Sequence, residues 1–235
     1  ILTMSIPFLV AEPEHRFGGS WTQEKLRAVE KYLRAYATIM AGQKKKGAFG
    51  PGFRFAYIDA FAGTGSIATQ DSSSLPNLFD DGSLPETSGF LKGSARIALE
   101  VEPGFDKYIF IEQSQQRCRE LEALKAAFPD KAAAIEIRPD DANSQLRKLC
   151  SLTWQGKPPR RAVLFLDPYG MEVEWQTIEA IAKTQAIDVW ILLPVGVAIN
   201  RFLRKDGNIS EVDKQRLTRI FGTDEWYDCF YKVQE

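Results

Sequence analysis

Histidine is almost absent from this chain: His15 is the single one among 235 residues. That scarcity argues against His-centred triads, HExxH zinc sites and the His/Cys zinc signature of nucleobase deaminases, and no metal site is expected. Cysteine is nearly as rare. Cys118, Cys150 and Cys229 lie far apart with no CxxC between them, which reads as reduced, buried cytosolic thiols. No apolar run approaches the roughly 18–20 residues of a membrane span. Ile6–Val10 is too short for a secretory h-region and follows no basic segment. A cytoplasmic protein without a membrane partner is expected. Excess charge is missing too: 30 Lys+Arg against 31 Asp+Glu leave a net charge of −1. Any binding to nucleic acid must therefore come from a local patch. The chemistry that remains uses carboxylates, backbone amides or a bound cofactor.

What is present is an ordinary globular composition, 44% hydrophobic and 26% charged, in a chain long enough for one large domain or two small ones. Residues 1–19 lack periodicity. Ser20 and Gln23 resemble a capping box, and Leu26, Val29, Leu33, Tyr36 and Met40 follow helical spacing. They predict a helix over 20–41 that stops near Gly42. Lys44-Lys45-Lys46 reads as a solvated linker. Strands are expected over 54–59, 107–112, 134–138, 162–166 and 187–193. Helices are expected over 95–99, 114–128, from Asp140-Asp141-Ala142-Asn143 to Cys150, over 175–184 and over 210–221. The last carries a Ser210/Asp213 capping pair and stops at Gly222. Residues 70–89, rich in Ser, Pro, Asp and Gly, look like a surface insertion. Strands alternate with helices, and those at 162–166 and 188–193 are almost wholly apolar. That pattern predicts an α/β fold with a mostly parallel central sheet and helices on both faces.

In open parallel sheets ligands bind beyond the carboxyl ends of the strands, and four predicted strands end in acids. Asp59 precedes Gly63-Thr64-Gly65, glycines that let the backbone turn tightly and approach a ligand. The third glycine of a dinucleotide fingerprint is missing. Glu112 ends the second strand, where an acid typically receives ribose hydroxyls. Its distance from Gly65 exceeds the usual spacing of about 20 residues, an excess the 70–89 insertion explains. Asp140-Asp141 follows the third strand, where one acid suits an adenine amine and the other a helix cap. Asp167-Pro168-Tyr169-Gly170 ends the fourth, offering a carboxylate to an amino group and an aromatic ring to a flat base. This order suits S-adenosylmethionine, a nucleoside cofactor without pyrophosphate, better than NAD. It supplies methyl transfer without metal or histidine.

Tyr57-Ile58-Asp59-Ala60-Phe61-Ala62-Gly63-Thr64-Gly65, Gly93-Ser94, Tyr108–Glu112, Phe165-Leu166-Asp167-Pro168-Tyr169-Gly170 and Phe221-Gly222-Thr223-Asp224-Glu225-Trp226, with the Thr22–Tyr36 helix, resemble the three-Cys-motif partner protein family, TcmP. The resemblance spans about residues 20–228. It implies a Rossmann-like class I methyltransferase fold with a seven-stranded type of sheet. It also implies association with a separate radical-SAM-type iron–sulfur protein carrying the three cysteines. The division expected is a lead-in and helix over 1–52 and a methyltransferase-like domain over 53–235. Members of that family often run longer than 235 residues. Asp-Pro-Tyr-Gly lacks the second proline of the Asp/Asn-Pro-Pro-Tyr/Phe of nucleic-acid amino-methyltransferases. It is nearer the Asp-Pro-Phe-Gly of some tRNA guanine-N2 methyltransferases.

The expected function is methyl transfer from S-adenosylmethionine to an amino group of a base in RNA or DNA. Asp59, Gly63 and Gly65, with Phe61 in the same turn, are expected at the methionine end, Glu112 at the ribose and Asp141 at the adenine. Asp167, Pro168 and Tyr169 are expected at the reacting edge. Arg160-Arg161 and Arg201, Arg204 and Lys205 are individually solvated cations or phosphate contacts. The alternative is a methyltransferase-like binding partner or scaffold without its own catalysis, since a fold does not determine a function.

Overall fold

In a computed structural model the described residues are 20–63, 66–68, 90–168, 172–192, 203 and 207–231. Outside them lie the 1–19 lead-in, Thr64-Gly65, the 70–89 stretch, Tyr169-Gly170 and the basic residues Arg201, Arg204 and Lys205. The Ser20/Gln23 cap falls on side chains outside the described set.

Five strands, β1 (Arg54–Asp59), β4 (Lys107–Ile111), β5 (Ile135–Arg138), β6 (Arg160–Leu166) and β7 (Ile187–Ile191), form one sheet in the order β5-β4-β1-β6-β7. Every neighbouring pair is parallel. Chain order runs outward from β1 through β4 to β5, then returns to the other side of β1 for β6 and β7. This is an α/β Rossmann-like arrangement, with five of the seven strands that the resemblance implies found among the described residues. A short antiparallel hairpin, β2 (Ser66–Ala68) with β3 (Phe90–Lys92), follows β1.

Strand periodicity divides the core into two layers. Phe55, Tyr57, Tyr108, Phe110, Val163 and Phe165 face α1 (Ser20–Lys45), α2 (Ser94–Glu100) and α3 (Gln115–Ala126). Ile58, Ile109, Ile111, Ala162, Leu164 and Leu166 face α4 (Ala142–Cys150) and α5 (Trp175–Thr184). One side is thus largely aromatic and the other aliphatic. α1 buries Leu26, Val29, Leu33, Tyr36 and Ala37 in the aromatic layer. The predicted lead-in helix is therefore part of the core.

Helix ends follow local chemistry. Ser114 caps α3 through the Arg117 amide, Asp141 caps α4 through Ser144, and Ser210 caps α6 (Glu211–Phe221) through Asp213. Gly222, at φ 73°, closes α6 and lies against Trp175, where an added Cβ would meet the indole at 2.1 Å. α1 departs from expectation: it passes Gly42 and ends at Lys45. The residues after Gly42 are good helix formers that offset its cost of about 1 kcal/mol. Two lysines also suit the helix's negative end, and the chain leaves the helix at Gly47, φ 66°. A final helix, α7 (Trp226–Tyr231), was not expected from periodicity. It packs Trp226 with Ile209 and Leu217 in a small separate cluster.

Candidate functional site

Because the strands are parallel, Asp59, Glu112, Asp140 and Asp167 all emerge at one edge of the sheet. Strand order reverses between the neighbours β1 and β6: the chain leaves β1 toward β4 and leaves β6 toward β7, and such sheets form a crevice at that point. The turn after β1 is fastened on both sides. Ala60 N–H donates to the Phe165 carbonyl at 3.2 Å, and Ala62 N–H to the Ile111 carbonyl at 3.1 Å.

Asp59 lies beneath that turn and is wholly buried. Its carboxylate accepts from Ser94 Oγ at 2.6 Å, Tyr57 Oη at 3.1 Å and the Phe61 amide at 3.3 Å. No ion pair with a described cation accompanies it. Burial pushes its carboxyl up to about 6, the three donors work against that rise, and the nearby Asp167 carboxylate adds to it. Burial, then the adjacent Asp59, also raises the Tyr57 phenol well above its usual range and keeps it a donor.

Glu112 joins three segments. Its Oε2 accepts from the Gly63 amide at 3.0 Å and its Oε1 from the Ser114 amide at 2.8 Å. Arg117 stands 3.7 Å away, and the Glu112 amide donates to the Arg138 carbonyl. Gly63 has φ 59°, and nothing lies within 4 Å of where a Cβ would be. The amide that reaches Glu112 therefore sits under open space. Gly65 is outside the described residues.

At the end of β5 the two acids divide their work. Asp141 accepts from the Ser144 amide at 2.8 Å as the cap of α4. Asp140 accepts from Gln145 Nε2 at 2.5 Å and from Lys148 at 3.4 Å. Hydrogen bonds from Gln145 and the Asp141 amide lower its carboxyl.

Asp167 differs from the others in holding its cation at close range and half-buried. Lys25 Nζ lies 2.5 Å from its Oδ2, with side chains 16% and 33% exposed respectively. Sequence reasoning missed Lys25 as a site residue. The signal existed, since Lys25 continues the row Val29, Leu33, Ala37 at intervals of four and so lies on the buried stripe of α1. A lysine there needs a partner. Pro168 is buried beside Asp167, and Tyr169 is outside the described residues. Asn143 was also passed over. Its Nδ2 donates to the Glu172 carbonyl at 2.7 Å, while its Oδ1 accepts from the Glu174 amide and Thr177 Oγ1, each at 2.9 Å. It thereby ties α4 to the segment that follows Asp-Pro-Tyr-Gly.

No protein-family model and no curated protein matches the chain. Among solved structures, a conserved hypothetical protein of Streptococcus pyogenes is similar at 18% identity and TM-score 0.36, covering 66% of this chain and 81% of its own. A Legionella pneumophila protein described under the family name DUF519 is similar at 20% identity and TM-score 0.44, covering 77% of this chain and 74% of its own. The fold assignment rests on the order and direction of the five strands.

Proposed function

We propose that this protein transfers a methyl group from S-adenosylmethionine to an amino group of a nucleic-acid base, working with a three-Cys-motif iron–sulfur protein as the TcmP resemblance implies. The observation that carries the reading is the convergence of Asp59, Glu112 and Asp167 at one sheet edge, around the strand-order reversal. The residues fit the cofactor. Each Glu112 oxygen takes one backbone amide and retains acceptor capacity for a ribose hydroxyl. Open space above Gly63 admits a ligand close to the backbone.

In this reading Glu112 receives the ribose, and Asp141, from its capping position, the adenine. Gly63 and Gly65 border the methionine end, with Phe61 in the same turn. Asp59 acts there by holding that turn through the Phe61 amide. When bound, S-adenosylmethionine supplies an electrophilic methyl group on a sulfonium. Asp167 accepts a hydrogen bond from the target amine and stabilises the positive charge that grows on its nitrogen. Pro168 stiffens the turn, and Tyr169 is assigned to stacking on the base. One observation favours the binding-partner alternative: Lys25 already occupies the carboxylate assigned to the amine.

Calorimetry tests the reading directly. Purified protein should bind S-adenosylhomocysteine, and absence of binding removes the assignment. Co-expression with the iron–sulfur protein should give co-elution on size exclusion, while separate elution at micromolar concentrations counts against a stable complex.

A further inference from the structure

The opposite edge of the sheet carries a second feature, made of cations. Arg54 and Arg160 are register partners on β1 and β6, so two like charges start adjacent strands about 4.8 Å apart. Like charges facing one another across strands are destabilising. The loop before β6 adds Lys157, and it touches the turn before β1: the Arg54 amide donates to the Pro159 carbonyl at 3.3 Å. The loop also meets the end of α5, where Gln155 Nε2 donates to the Thr184 carbonyl at 3.1 Å. Lys183 and Gln155 line a hollow of about 280 Å³ there. Arg54, Lys157, Arg160 and Lys183 are all exposed, and none forms an ion pair with a described residue. Two acids at this edge, Asp106 and Glu136, are otherwise engaged. Asp106 holds Lys44 and the Phe55 amide, and Glu136 holds Lys107 and Arg138.

In a chain of net charge −1, four cations gathered at one edge without an ion-pair partner among the described residues call for an external anion. Arginines match phosphate oxygens through a planar fork of donors. A membrane surface fits less well. Insertion needs a row of apolar side chains, and Leu152 is the one large apolar residue exposed in this loop among the described residues. The seven residues of β6 separate this edge from Asp167 by roughly 20 Å. A ligand touching both must be a polymer.

We propose that the amino ends of β1 and β6, the 151–160 loop and the last turn of α5 form a docking surface for the phosphate backbone of a nucleic acid. The surface deepens the methyl-transfer reading, on which it rests for its substrate class. Fluorescence anisotropy of the full chain with a labelled mixed-sequence RNA duplex of 20 base pairs should show saturable, salt-sensitive binding. A four-nucleotide fragment should bind at least tenfold more weakly. The double variant Arg54→Glu/Arg160→Glu should weaken duplex binding at least tenfold and flatten the salt dependence by about two charges. Lys157→Glu/Lys183→Glu, in the loop and helix, should act in the same direction without altering the strands. Lys31→Glu, on exposed α1, should have less effect than either. Unchanged affinity in both double variants, no binding by the unaltered protein, or binding to phosphatidylserine vesicles alone would overturn the proposal. Calorimetry with S-adenosylhomocysteine separates the two ideas. Cofactor binding without duplex binding removes the surface, and duplex binding without cofactor binding removes the methyltransferase reading.

Discussion

The ends of β1 and β4 and the end of β6 hold their carboxylates by different means. Asp59 and Glu112 are held within the sheet edge by hydroxyls and backbone amides of their own neighbourhood. Asp167 is held by one long side chain reaching in from α1, 142 residues away in sequence. Amide and hydroxyl donors of this kind are fixed when the strands pair. A lysine is a flexible tether whose ammonium can be exchanged for another donor. The contrast suits the proposed division of labour, with a preformed nucleoside half beside an adjustable acceptor half.

The sharpest way to break the comparison is Asp167→Ala. Tritiated methyl transfer to total RNA and DNA from a host lacking the gene should fall on the order of 100-fold or more, while S-adenosylhomocysteine affinity stays nearly unchanged. Wild-type turnover in this variant would remove Asp167 from the reacting edge. Glu112→Ala should do the reverse. Losing an ionised acceptor should weaken S-adenosylhomocysteine binding by roughly 1.5–3 kcal/mol, measured by calorimetry. It should also lower the melting temperature, because the Gly63 and Ser114 amides lose their partner.

Asp59→Asn sharpens the contrast through pH. The folded carboxyl titrates near 6, above its ordinary 3.8, so the native state binds the proton more tightly than the unfolded state. Stability therefore falls as pH rises from about 4 to 6 and stays reduced above that window. Replacing the buried charge by a neutral amide should gain about 3 kcal/mol at pH 8 and little at pH 4. Denaturation at the two pH values checks this, and an equal effect at both would contradict an Asp59 buried without an ion pair to a described cation. The smallest effect is expected from Lys25→Met. A partly buried ion pair should contribute about 1 kcal/mol, and cofactor affinity should not move. A large loss of S-adenosylhomocysteine binding in this variant would place Lys25 on the cofactor instead.

Much of the frame was legible in the sequence because buried parallel strands are written as short apolar runs. Phe165-Leu166 before Asp167 and Phe110-Ile111 before Glu112 marked both the strand and its end. Trp175–Thr184 emerged with the predicted bounds because its apolar stripe and the chain reversal after it coincide. What escaped depended on distance or brevity. Lys25 and Asp167 meet through tertiary packing, and only the misfit of a cation on an apolar stripe announces it. Strands β2 and β3 have three residues each, too few for a period. Gly42 looked like a stop because a glycine is a weak signal when the residues beyond it still favour helix.

The central position of β1 also sets a schedule for assembly. Its partner β4 begins at Lys107, but its other partner begins at Arg160, about a hundred residues downstream. During synthesis at roughly 5–20 residues per second, one edge of β1 waits on the order of ten seconds for β6. Phe55, Tyr57 and Ile58 are part-covered in that interval, with unpaired amides along the strand. Such an edge is a template for pairing with another chain. The nascent half-sheet, more than the finished molecule, is therefore where aggregation of this protein should begin.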